Sequence, residues 1–294
     1  MALPNEFPGV TGSLASLANA RGGAVIDNQA TYVHLAPTAT KLPEDPTGKV
    51  IVCGSHGGAY AGYLVARSTA AGVILNDAGI GKDDAGIGTL PLCDALGMPA
   101  ATVAFDSARI GDAEDMYVRG RISQVNETAA ALGAGVGMST GDAAARFANA
   151  PAHQMPAPVE EARYELGTNA YGLKIVCIDS ISLVVPEDIG QIVLSGSHGG
   201  LVAGQHALAI RVQAAAAFYN DAGVGVDDAG ISRLPVLDDM GVAAATVSAQ
   251  SARIGDGRSS YADGIISFCN ALARDFGVAP GMPARAAVEL IKPA

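Results

Sequence analysis

The sequence predicts an α/β protein made of two tandem homologous βαβ-type repeats with parallel sheets, related by a pseudo-two-fold axis. Three observations predict it. The chain repeats itself: GSHGG at 54–58 returns at 196–200, NDAGIGKDDAGI at 76–87 returns as NDAGVGVDDAGI at 220–231, and SARIGD at 107–112 returns at 251–256. The offset is 198 − 56 = 142 at the first motif and 220 − 76 = 144 at the later ones, which places a two-residue insertion between them in the second copy. Short apolar runs alternate with helical segments in both copies, the pattern of right-handed βαβ crossovers. Each repeated polar motif directly follows one of the apolar runs, where open parallel sheets bind their ligands.

In the first copy TYVHLA (31–36) reads as a strand, and KVIVCG (49–54) as a strand buried on both faces. AYAGYLVARSTA (59–70) reads as a helix, AGVILN (71–76) as a second buried strand, and GTLPLCDALG (88–97) as a short helix stopped at Gly97. MPAATVAF (98–105) supplies a third core strand, and DMYVRGRISQVNETAAALG (115–133) a longer helix ended by Gly133. The second copy repeats the order: LKIVCID, QIVLSG, the helix LVAGQHALAIRVQA (201–214), AAAFYN, SRLPVLDDMG, VAAATVSA and the helix SSYADGIISFCNALARDFG (259–277). Residues 1–136 therefore form the first lobe with an N-terminal extension, 137–168 a linker, and 169–294 the second lobe.

Composition excludes several functions. Lys and Arg number 18 against 29 Asp and Glu, a net charge of −11, which argues against binding a phosphate backbone. Hydrophobic residues are 49% and mean hydropathy is +0.29, which excludes intrinsic disorder. Every apolar run is interrupted well short of the roughly 18 residues of a membrane span. Residues 1–23 lack a basic region followed by a continuous apolar one, so no signal peptide is read and a cytoplasmic location is expected. Cys53, Cys93, Cys177 and Cys269 form no CxxC pair and lie in apolar runs, as buried thiols of a reducing compartment do. A hydrophobic chain with only 16% charged residues also suits a homo-oligomer.

The repeated motifs bring Ser, His, Asn, Asp and Arg to one sheet edge, twice. His56 and His198 are the acid–base candidates, because imidazole titrates near neutral pH; the alternative is a ring that only ties loop backbone. Asp77 and Asp221, at strand ends, would orient the histidines or act as the base. Ser55, Ser197, Asn76, Asn220, Ser107 and Ser251 would contact substrate, with the N–H groups of Gly199 and Gly200 stabilising an oxyanion. Arg109 and Arg253 would clamp a substrate anion, the alternative being internal pairs with Asp112 and Asp256. Asp84 and Asp228 are expected to cap the short helices that follow them. After SARIGD the second copy has Arg258 and two serines where the first has Glu114 and Asp115, so the second lobe is better suited to an anion.

Several familiar signatures are absent or misplaced. The strand ending in SHGG faintly resembles the His-Gly of caspase-like cysteine peptidases, but the next strand ends in Asn76-Asp77 or Asn220-Asp221 rather than in the nucleophilic Cys. GMSTG at 137–141 matches G-x-S-x-G without a strand before it, and no P-loop or dinucleotide fingerprint is present. The resulting expectation is a cofactor-free hydrolase or lyase acting on a small polar carboxylate or amide. The alternatives are a metal-dependent hydrolase using a divalent ion, and a non-catalytic small-ligand binding or assembly protein.

Overall fold

The computed structural model describes residues 32–293. The N-terminal segment in which no signal peptide is read lies outside the described residues. Two sheets form the frame. The first takes β1 (Val33–Ala36), β2 (Val50–His56), β3 (Gly72–Asn76), β4 (Ala100–Val103) and β5 (Ile122–Val125), in that spatial order. The second takes β6 (Arg163–Thr168), β7 (Lys174–Ile178), β8 (Ile192–His198), β9 (Ala216–Asn220), β10 (Ala243–Val247) and β11 (Ile266–Cys269), again in chain order. Strands β1 to β4 are parallel, as are β7 to β10, whereas β5, β6 and β11 run antiparallel at the edges. The sheets are therefore mixed rather than purely parallel.

Alternation along each central strand feeds two cores. In β2, Ile51 and Cys53 join Val65, Leu75 and Leu90 under α1 (Ala59–Ala66) and α2 (Thr89–Leu96). Val50 and Val52 join Met116, Ala129 and Phe147 on the other face, under α3 (Ala113–Arg119), α4 (Glu127–Ala131) and α5 (Thr140–Phe147). The second sheet packs Val176, Val193 and Tyr219 against Leu234 and Leu237 of α6 (Arg233–Asp239). Its other face packs Cys177, Leu194 and Phe218 against α7 (Gly257–Ala262), α8 (Ala271–Asp275) and α9 (Ala284–Val288). All four cysteines are buried in these layers, and burial pushes the Cys53 thiol up to about 11. Within the interval expected to be a linker, α5 completes the first core through Phe147 and β6 extends the second sheet beside β7.

Two predicted helices are broken. The helix expected over 115–133 is α3, then β5, then α4, and that expected over 259–277 is α7, β11 and α8. Gly120 ends α3, where a Cβ would lie 2.8 Å from Val103 Cγ1, and Ile122 and Val125 then run as a strand along β4. Asn126 and Asn270 start new helices by accepting the N–H of Ala129 and Ala273, each at 2.9 Å. These asparagines also close the sheet edge, since Asn270 accepts the Ala244 N–H at 2.9 Å and donates to the Val242 carbonyl at 2.8 Å.

The helix expected over 201–214 is absent as well. In the first lobe Thr89 Oγ1 donates to the Gly58 carbonyl at 3.2 Å, and helix α1 passes directly over it at Gly62. At the position 144 residues later stands Arg233, whose Nε donates to the corresponding Gly200 carbonyl at 2.8 Å. Its Nη1 continues to the carbonyls of Leu208 and Ala209 at 3.2 and 2.6 Å. The Gly58 carbonyl accepts from both Thr89 Oγ1 and the Gly62 N–H, so side-chain use of a carbonyl does not by itself unwind a helix. An arginine is too large for a helix to pass over it as closely as Gly62 passes over Thr89. Residues 201–212 consequently form turns with a single 3-10 turn at His206–Leu208, and Ala203 takes a left-handed φ of 49°.

No described helix is long and apolar enough to cross a membrane. Removing the Asn270 side chain deletes a cap and leaves the Ala244 N–H and Val242 carbonyl unpaired in the core. Asn270→Ala is expected to lower unfolding free energy by about 2–4 kcal/mol in denaturant titration, and a loss below about 1 kcal/mol contradicts this role.

Candidate functional site

GSHGG closes β2 and β8, so both histidines emerge at the carboxyl ends of central strands. There the two lobes face each other across a cavity of about 110 Å³, lined by Ser55, His56, Glu161, Ser197, His198 and Arg233, with Lys41, Tyr60 and Arg211 also contributing. His56 Nδ1 accepts the Gly58 N–H at 3.1 Å, and His198 Nδ1 accepts the Gly200 N–H at 3.2 Å. An acceptor nitrogen is unprotonated, so each neutral ring carries its hydrogen on Nε2. Burial pushes His56 down to about 4. Burial, then the charge of Arg233 and the neighbouring His56, hold His198 well below the ordinary imidazole range. Both rings are thus uncharged N–H donors at neutral pH. The serines play matching parts in the two lobes. Ser55 Oγ accepts the Ala39 N–H at 3.0 Å, and Ser197 Oγ accepts the Ile181 N–H at 2.9 Å, each fixing the loop after the adjacent parallel strand.

The remaining expected site residues do not line this cavity, and their polar groups are engaged elsewhere. Asp77 Oδ1 accepts the N–H groups of Gly79 and Phe105, both at 3.0 Å, and Asp221 Oδ1 those of Gly223 and Ala249 at 3.0 and 2.9 Å. Burial lifts the Asp77 carboxyl above its ordinary range, against these hydrogen bonds. Asn76 and Asn220 donate to the carbonyls of Ala108 and Ala252 and accept the N–H of Ala78 and Ala222. Ser107 and Ser251 bridge Ala104 to Arg121 and Ser248 to Ile265. The Gly199 N–H donates to the Asn220 carbonyl at 2.7 Å, and that of Gly200 goes to His198, so neither is left for an oxyanion.

Arg109 and Arg253 serve the junction between lobes. Arg109 pairs with Asp112 at 3.1 Å and Asp115 at 3.0 Å, and approaches Asp227 of the second lobe at 3.6 Å. Arg253 pairs with Asp256 at 3.1 Å and with Asp83 of the first lobe at 3.0 Å. Asp227 also receives Arg119 at 2.7 Å, and Lys82 reaches Asp263 at 2.9 Å. Backbone bonds run between the same loops, Lys82 N–H to the Ala249 carbonyl at 2.8 Å and Val226 N–H to the Phe105 carbonyl at 3.1 Å. Asp84 and Asp228 do not cap helices: they are left-handed, with φ of 56° and 54°, and no side chain caps α2 or α6. β-Branched Ile80 and Val224 share that region at φ 62° and 66°, backbone strain that the abutting loops maintain.

Glu161 and Arg233 are among the cavity residues that escape the sequence reading. Glu161 comes from the connection just before β6, and burial followed by the charge of Asp179 pushes its carboxyl up to about 7, against a hydrogen bond from Ser180. The residue 142 positions earlier is Asn19 rather than an acid, so the repeat does not point to it. Arg233 is 2% exposed, stacks at 4.9 Å over the Tyr219 ring, and pairs with no Asp or Glu among the described residues. The replacement of Thr89 by Arg at the equivalent position is the sequence signal for it. Among the described residues no three His, Cys, Asp or Glu side chains are grouped to hold a metal ion. No family model matches the chain, and neither the curated proteins nor the solved structures include a significant match.

The histidine environment has a pH consequence. A His56 imidazole held down to about 4 from 6.5 favours the native state fully above pH 6.5, and that contribution is lost as pH falls through about 4. Wild-type protein is expected to lose up to ~3 kcal/mol more stability than His56→Gln between pH 6.5 and 4, measured by denaturant unfolding at each pH. Parallel pH–stability curves for the two proteins contradict a His56 held neutral in the native state.

Proposed function

We propose that the cavity between the lobes is an active site for cofactor-free acid–base chemistry, hydrolysis or elimination, on a small polar carboxylate or amide. The observation that carries the reading is the grouping of Glu161, two neutral imidazoles and a buried guanidinium around one cavity. Glu161 is the proton carrier: a carboxyl poised at about 7 matches the operating pH of a general base. Its carboxylate takes a proton from an attacking water, or from the substrate carbon in an elimination, and returns it to the leaving group. His56 and His198, with Nδ1 occupied, donate through Nε2–H to a developing oxyanion. Arg233 faces the substrate carboxylate, the part that the sequence suggests for Arg109 and Arg253. Asp77 and Asp221 shape the strand-end loops that carry this arrangement.

On this reading the chain has one site shared by two duplicated lobes related by a pseudo-two-fold axis. Reciprocal contacts support it, since Arg253 meets Asp83 as Arg109 meets Asp227, and Lys82 bonds Ala249 as Val226 bonds Phe105. A second reading, a non-catalytic small-ligand binding protein, is favoured by the engagement of the NDAG and SARIGD motifs in the junction between lobes.

A screen of small carboxylates and amides separates the two. Turnover is expected to rise with pH through a midpoint near 7, because the ionised Glu161 is the active form. Glu161→Gln is expected to lower kcat/KM by ~10²–10⁴-fold and remove that limb. Binding of a screened compound without turnover supports the second reading, and full activity in Glu161→Gln contradicts the assigned base.

A further inference from the structure

We infer that the ligand of this cavity carries two acidic groups, one seated on Arg233 at the closed end and one held between Lys41 and Arg211 at the open end, which makes it a short-chain dicarboxylate. The inference rests on the reading of the cavity as the substrate site and names its substrate class. Three cations line the cavity, Lys41, Arg211 and Arg233, in a chain whose net charge is −11. None of the three forms an ion pair among the described residues, whereas Arg109, Arg119, Arg163 and Arg253 are all matched to carboxylates. Backbone carbonyls hold Arg233 Nε and Nη1, but no acid beside it neutralises its charge, which is left to attract an incoming carboxylate.

Two carboxyl groups, Asp179 and Glu161, share the lining with these cations. The Asp179 carboxylate already accepts the N–H groups of Ala162 at 2.8 Å and Gly257 at 3.2 Å. Glu161, on the same wall, is the proton carrier and is partly neutral near pH 7. The three cations therefore outnumber the two acids of the lining.

Position separates the cations into two subsites. Arg233 is 2% exposed, while Lys41 and Arg211 are exposed. Lys41 follows β1 and Arg211 precedes β9, so each half of the chain contributes one exposed cation to the lining. Leu64, Val202, Leu208 and Ile210 also line the cavity, an apolar wall for a methylene stem. Two anion subsites joined by an apolar wall match a carbon chain with a carboxylate at each end.

Calorimetric titration of the full chain tests this with malonate, succinate and glutarate, against propionate, butyrate and valerate as single-charge controls and inorganic phosphate as a compact anion. A dicarboxylate is expected to bind at least ~10-fold more tightly than the monocarboxylate of equal length. The double variant Lys41→Ala/Arg211→Ala, altered only at exposed positions, is expected to reduce that preference below ~3-fold. Arg233→Lys is expected to weaken both classes. Equal affinity for the two classes, an undiminished preference in the double variant, or tighter binding of phosphate than of any dicarboxylate overturns the inference. Because the readout is binding, a dicarboxylate that binds without turning over leaves this inference standing and removes the catalytic roles, whereas turnover of monocarboxylates with no dicarboxylate preference does the reverse.

Discussion

The guanidinium of Arg233 shapes the second lobe. Its Nε and Nη1 hold the carbonyls of Gly200, Leu208 and Ala209, and the segment that is helix α1 in the first lobe is open in the second. The cavity depends on that difference, because Val202, Leu208, Ile210 and Arg211 line it from the unwound segment. A charge taken out of water is tolerated only when its donors are satisfied, and here backbone carbonyls and the face of Tyr219 supply the satisfaction. No carboxylate is paired to the guanidinium among the described residues.

The rest of the molecule holds the two lobes in register around that space. The most elaborate repeated motifs, NDAGxGxDD and SARIGD, meet across the junction through paired ion pairs and reciprocal backbone bonds. Their left-handed residues, among them Ile80, Val224 and the Asp pairs, persist because each loop is packed against the other. At Gly79 an added Cβ would lie 3.0 Å from Gly223 Cα, so the loops touch backbone to backbone. A rigid junction of this kind fixes the distance between GSHGG segments that belong to different sheets, which preorganises groups delivered from both lobes.

Much of this is legible in the sequence, for local reasons. Apolar runs buried on both faces identify the central strands, Gly97 marks the end of α2 with its left-handed φ of 72°, and the polar motifs stand at the strand ends where the alternation places them. The antiparallel β5 and β11 escape notice because their residues alternate within segments that also suit a helix, although Gly120 and Asn126 carry the break and the cap. The spacing of Asp84 allows a cap, but the contact between lobes sets its backbone left-handed. Glu161 lies in a connection with no local pattern and becomes special only through burial beside Asp179. Arg233 sits at the start of an amphipathic helix, and only the space that Thr89 leaves to α1 in the other lobe reveals what the larger side chain displaces.

Acid–base chemistry in this cavity requires a carboxyl group that changes protonation near neutral pH. Carbon-13 NMR titration of the Glu161 side-chain carboxyl, assigned by its loss in Glu161→Gln, measures this directly. A midpoint near 7 is the predicted result, and a midpoint at the ordinary value of 4.5 would contradict it.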